Sequence, residues 1–160
     1  MKMMKYLILG LLVALIATYG TSQSVKTVTY DDLEARWTSN GDTTYVVNYW
    51  ATWCGPCVEE LPEFIEVDNE MKDGPFKMIL VSLDFPKVIE KRVIPFIEEK
   101  GITPEVVLLV DNPNVWINRV SKEWDGNIPV TQFIKGDNYK LHVGQLDHKE
   151  LLENIELINN

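Results

Sequence analysis

The sequence predicts an α/β fold: a central mixed sheet covered by helices on both faces, closed by a β-hairpin and a C-terminal helix. Three observations carry that prediction. Segments rich in β-branched and aromatic residues alternate along the chain with segments whose apolar residues recur at helical spacing. The strand-like segments are apolar nearly throughout, as strands are when both faces are buried. The chain then ends on a hairpin signal followed by one more amphipathic helix.

In order, Thr29-Tyr-Asp-Asp-Leu-Glu-Ala-Arg-Trp37 reads as a capped short helix with acids in its first turn, broken by Asn40-Gly41-Asp42. Thr44-Tyr-Val-Val-Asn-Tyr-Trp50 is too apolar for a one-sided strand and reads as a central, buried one. From Cys57 to Met71, the residues Val58, Leu61, Phe64, Ile65 and Val67 recur as on a helix face, and Asp73-Gly74-Pro75 ends that helix. Phe76 to Leu83 is a second buried strand. Val88 to Lys100 is helical, restarted at Pro95 and stopped by Gly101. Glu105 to Val110 is a third strand, and Pro113 to Glu123 a further helix. Val130–Ile134 and Tyr139–Val143 flank the turn residues Lys135-Gly-Asp-Asn138. Asp147 caps a last helix with Leu151, Leu152, Ile155 and Ile158 on one face.

The 160 residues, 46% of them hydrophobic and 24% charged, suit one globular domain, expected over residues 25–160. Residues 1–22 are expected to be separate from it. A basic start with Lys2 and Lys5 leads into an uncharged apolar run from Tyr6 to Ala17, then small and polar residues, which is the layout of a signal peptide. Cleavage between Gly20 and Gln23 is the first expectation and an uncleaved membrane anchor the second. The protein is therefore expected outside the cytoplasm, in the periplasm or an equivalent space, with membrane contact only through residues 1–22. Loss of the two lysines would take the net charge from −9 to −11. Such an acidic surface argues against nucleic acid and anionic membrane as partners.

Both cysteines lie in Trp50-Ala-Thr-Trp-Cys-Gly-Pro-Cys57. The strand-to-helix junction places Cys54 at the helix start, where about half a positive charge and free N–H groups favour a thiolate. Cys54, partly exposed, is thus the expected attacking thiol, and Cys57, one turn in, the resolving one. Gly55 removes a side chain from a tight turn, and Pro56 needs no helical N–H partner there. Zinc needs four ligands, and His142 and His148 lie far along the chain, so neither metal nor cofactor is expected. A redox couple is favoured, while a copper site using both thiols and a static disulfide remain open.

These residues resemble the thioredoxin superfamily and, within it, exported thiol–disulfide oxidoreductases of the TlpA/ResA type. The resemblance rests on Val47-Asn-Tyr-Trp-Ala-Thr-Trp-Cys-Gly-Pro-Cys57, on Pro62, and on Ile128-Pro-Val-Thr131 before the hairpin. It implies a thioredoxin fold in which Ile128–Pro129 is a cis peptide bond facing the sulfurs. It also implies protein disulfide or dithiol substrates, apocytochrome c among them, and recharging by a membrane electron donor.

Thioredoxins of the cytosol carry a buried Asp where this chain has Asn48, so another group must take the proton of Cys57. Glu60, one turn after Cys57, and Asp84, ending the second strand, are the candidates, whereas Glu59 and Glu66 read as surface acids. Trp53 is expected over the attacking thiol, and Trp50, Tyr49 and Phe64 in the core. Trp116 and Trp124 are either packing or groove wall. The Gly-Pro dipeptide matches reducing members of the superfamily. The expected function is therefore an exported reductant, with a copper chaperone, a dithiol oxidase or isomerase, and a thiol peroxidase as rivals.

Overall fold

A computed structural model of the chain describes residues 24–160. The expected export segment, residues 1–22, lies outside the described residues. The strands are β1 (Lys26–Val28), β2 (Thr44–Trp50), β3 (Phe76–Ser82), β4 (Glu105–Leu109), β5 (Val130–Lys135) and β6 (Asn138–Val143). The α-helices are α1 (Tyr30–Thr38), α2 (Gly55–Met71), α3 (Ile94–Lys100), α4 (Pro113–Val120) and α5 (His148–Asn159).

All six strands form one sheet in the order β1-β4-β3-β2-β5-β6. β2 pairs parallel with β3 and antiparallel with β5, so Asn48 stands between Leu80 and Thr131. The chain order therefore reverses around β2, whose C-terminal end opens into the crevice where α/β sheets place their sites.

Alternation along the strands divides the apolar residues between two cores. On one face Val46, Trp50, Leu80 and Phe133 pack against α2, α3 and α5 through Leu61, Phe64, Ile97, Leu151 and Ile155. On the other, Val47, Tyr49, Ile79 and Val81 pack against α1 and α4 through Leu33, Trp37, Trp116 and Val120. Each helix starts on a local signal. Thr29 and Asp32 form a reciprocal capping box on α1, and Asp147 and Glu150 do the same on α5. Gly101 closes α3 in the left-handed conformation, at φ 62°.

Three elements differ from expectation. β1 was not anticipated; it is a short edge strand that pairs with β4 and buries only Val28. α4 stops at Val120 rather than Glu123, because Ser121 turns to extended backbone at φ −163° and ψ 141°. The helical stretch after β3 begins with a 3₁₀ turn at Pro86–Val88 and a π turn at Ile89–Val93 before α3 starts, with Pro95 in its first turn.

Candidate active site

β2 leaves the sheet at Trp50, and after four intervening residues the chain enters α2 at Gly55. Asp84, buried at the end of β3, braces that passage. Its carboxylate accepts from Thr52 N at 2.9 Å, Thr52 Oγ1 at 2.6 Å and Ser82 Oγ at 2.9 Å. Cys54 N closes the turn on Ala51 O at 3.1 Å. Cys54 is then the N-cap of α2, with extended backbone, and its sulfur accepts from Cys57 N at 3.3 Å.

Cys54 and Cys57 are joined as a disulfide, S–S 2.06 Å. Cys57 is fully enclosed and Cys54 retains 7% of its surface, so Cys54 is the more accessible of two buried sulfurs rather than the partly exposed one expected. Ile128–Pro129 is cis. Ile128 O lies 3.8 Å from Cys54 Sγ, which brings the segment before β5 against the sulfur pair. Trp53, next to Cys54 in the chain, is 60% exposed, and Phe85, directly after Asp84, is 67% exposed.

One helical turn after Cys57, Glu60 joins a buried polar group. Asn48 Nδ2 donates to Glu60 Oε1 at 2.9 Å and to Thr131 Oγ1 at 3.0 Å, and Leu146 N donates to Glu60 Oε2 at 2.9 Å. Asn48 Oδ1 has no partner. Glu60 keeps 3% of its surface. Its desolvation raises the carboxyl pKa to about 7, against the lowering effect of the Leu146 and Asn48 hydrogen bonds.

The structure thus brings Cys54, Cys57, Trp53, Ile128, Pro129 and Glu60 to one end of the sheet. Asp84 belongs to the same end, but its oxygens are engaged in holding Thr52 and Ser82. Gly55 does not need its missing side chain for the reason first given. Its φ is not positive, and a Cβ there would meet open space. Trp116 and Trp124 are packing residues, stacked and tilted on Tyr49 at 5.5 and 5.9 Å in the core opposite the disulfide.

One contributor was missed altogether. Gln145, between β6 and α5, donates through Nε2 to Pro56 O at 2.9 Å and to Glu59 Oε2 at 3.2 Å. Nothing in its sequence surroundings marks it, since a glutamine in a polar connection carries no period or motif.

Among the described residues one group of potential metal ligands comes together, Glu66, Glu70 and His148, with ligand atoms within 4.8 Å of one another. His148 Nε2 is already 3.1 Å from Glu70 Oε1, and it sits at the positive end of α5, where the helix opposes a cation. No helix among the described residues is long and apolar enough to cross a membrane.

Sheet order, a Cys-x-x-Cys disulfide on a helix N-terminus and a cis-proline facing it define a thioredoxin-fold protein of the dithiol class. More particularly, the chain belongs to the AhpC/TSA family, whose model matches residues 17–135. It is 28% identical over 116 residues to the thioredoxin-like protein YneN of Bacillus subtilis, covering 70% of this chain and 63% of that one. It is 32% identical over 109 residues to the thiol-disulfide oxidoreductase ResA of Oceanobacillus iheyensis, covering 68% of this chain and 49% of that one. The matched stretch thus spans only half to under two thirds of these curated relatives. A thiol:disulfide interchange protein of Chlorobium tepidum TLS shares the fold, with a TM-score of 0.63 and 22% identity over 78% of this chain and 85% of that one.

Proposed function

We propose that the protein is an exported thiol–disulfide oxidoreductase that reduces protein disulfides. The observation that carries this reading is the placement of Cys54 Sγ at the α2 N-terminus, accepting from Cys57 N, with cis-Pro129 opposite and Cys57 enclosed behind it. A thiolate on Cys54 is favoured there by the helix dipole and by that N–H.

In the reducing direction, Cys54 thiolate attacks one sulfur of a client disulfide, and the other client sulfur leaves as a thiolate. Cys57 gives its proton to Glu60 and attacks Cys54 Sγ. The second client thiolate is released, the Cys54–Cys57 disulfide closes, and two electrons have passed to the client. Glu60 suits the acceptor role because it lies one turn from Cys57 on the same helix, is buried, and has a pKa of about 7. Trp53 and Phe85, each next in sequence to one partner of the Thr52–Asp84 brace, offer exposed apolar surface for an unfolded client chain.

The Gly-Pro dipeptide supports a reductant, and the leader-like residues 1–22 support action outside the cytoplasm with electrons from a membrane donor. Apocytochrome c is one client class to be tested. The experiment is insulin reduction by the purified chain, with Cys54→Ser expected to abolish turnover. Cys57→Ser in the native host should accumulate client as a stalled mixed disulfide. Intact insulin, together with both thiols ionising like free cysteine, would overturn the reading.

A further inference from the structure

We propose that Gln145 is a positioning residue that raises the acidity of Cys54 through the single peptide unit joining Pro56 to Cys57. The inference rests on the reading of the pair as a redox couple. Gln145 Nε2 donates to Pro56 O at 2.9 Å, and Cys57 N donates to Cys54 Sγ at 3.3 Å. That oxygen and that nitrogen belong to one amide. A carbonyl that accepts a hydrogen bond withdraws density from its nitrogen and makes the N–H a stronger donor, so consecutive bonds reinforce one another. The carbonyl has two lone pairs, so the Gln145 contact adds to the helical bond rather than replacing it. The chain of polarisation therefore runs from the Gln145 amide through one peptide group to the sulfur that must carry negative charge.

The position of Gln145 is fixed on both sides. Gly144 N donates to Pro129 O at 2.9 Å, and Leu146 N donates to Glu60 Oε2 at 2.9 Å. Three consecutive residues thus reach the cis-proline, the dipeptide between the cysteines and the buried carboxyl. Glu59 Oε2 takes a further, longer bond from the same Nε2, at 3.2 Å, and His142 Nε2 lies 3.2 Å from Gln145 O. The main-chain bonds of residues 144–146 fix where the Gln145 side chain starts, and its two Nε2 bonds fix where it ends.

The test is Gln145→Met, which keeps the length and removes the donor, with Gln145→Ala as a second variant. Alkylation of reduced Cys54 by iodoacetamide, followed against pH, should slow about two- to threefold on the acid side of its profile. The glutathione equilibrium should move toward the disulfide by a like factor, because the reduced form has lost stabilisation. The Cys57 amide proton resonance should shift upfield, and the remaining amide spectrum verifies the fold. Unmoved alkylation profiles and an unmoved Cys57 resonance would overturn the proposal, whatever the change in stability. Insulin turnover by the unaltered chain reads the broader function separately. Turnover with unmoved thiols removes the role of Gln145 alone, and shifted thiols without turnover leave that role and remove the function.

Discussion

Asn48 and Glu60 share a 2.9 Å hydrogen bond in which the amide donates and the carboxyl accepts, and both side chains are buried, Glu60 one helical turn after Cys57. The amide cannot take a proton, so the titrating partner of the pair is Glu60 alone.

A pH dependence follows. Burial lifts the Glu60 carboxyl from 4.5 to about 7 in the folded chain. Between those values the folded protein holds a proton that the unfolded chain has released. Stability is therefore highest below the unfolded value and falls as pH rises through the folded one, by about 3 kcal/mol in total from this group. Denaturant unfolding of the oxidised protein at about pH 5 and about pH 8 should show that loss, and Glu60→Gln should remove most of it. Parallel pH slopes in the two proteins would speak against a raised carboxyl. In the reduced protein, Glu60→Gln should slow resolution of a mixed disulfide by about tenfold to a hundredfold.

Asp84→Ala addresses the brace. It leaves Thr52 N, Thr52 Oγ1 and Ser82 Oγ without their acceptor in a buried place. A loss of about 2–4 kcal/mol is expected. Asp84→Asn should cost less, since one oxygen remains. Equal stabilities for all three proteins in urea would show that the carboxylate holds nothing.

Two glycines separate conformational strain from crowding. Gly101 has φ 62°, and a Cβ there would meet nothing within 4 Å. Gly126 has φ 93°, and its Cβ would lie 3.0 Å from Ile117 Cδ1. Gly101→Ala should cost about 1 kcal/mol and Gly126→Ala about twice that. Thermal melts of the two variants check the order.

Trp53→Ala should leave stability within about 0.5 kcal/mol, because the ring is exposed. Turnover of a protein disulfide should weaken on the order of tenfold through KM, as for an aromatic anchor, while a small disulfide is reduced as before. Equal loss on both substrates would place the ring in the chemistry rather than in client contact.

Much of this was legible in the sequence. The strand from Thr44 to Trp50, the helix carrying Leu61 and Phe64, and the hairpin around Gly136 all follow from period and turn chemistry, since each has several residues voting the same way. β1 was not legible, because three residues with one buried valine form no pattern until β4 is beside them. Glu60 was read only as a candidate. Its burial depends on Leu146 and Asn48 arriving from other elements, which no local spacing reveals. Gln145 was invisible for the same reason: its meaning lies in a carbonyl far earlier in the chain.

The separation of the two cores has a spectroscopic consequence. Of the five tryptophans, Trp50 shares its cluster with Cys54 and Cys57, and Trp53 adjoins them in the chain. Trp37, Trp116 and Trp124 sit across the sheet in the other cluster. Disulfides quench nearby indoles. Emission from the first pair should brighten when the bridge opens, while the second set supplies a constant background, so the molecule carries its own optical gauge of oxidation state together with an internal reference.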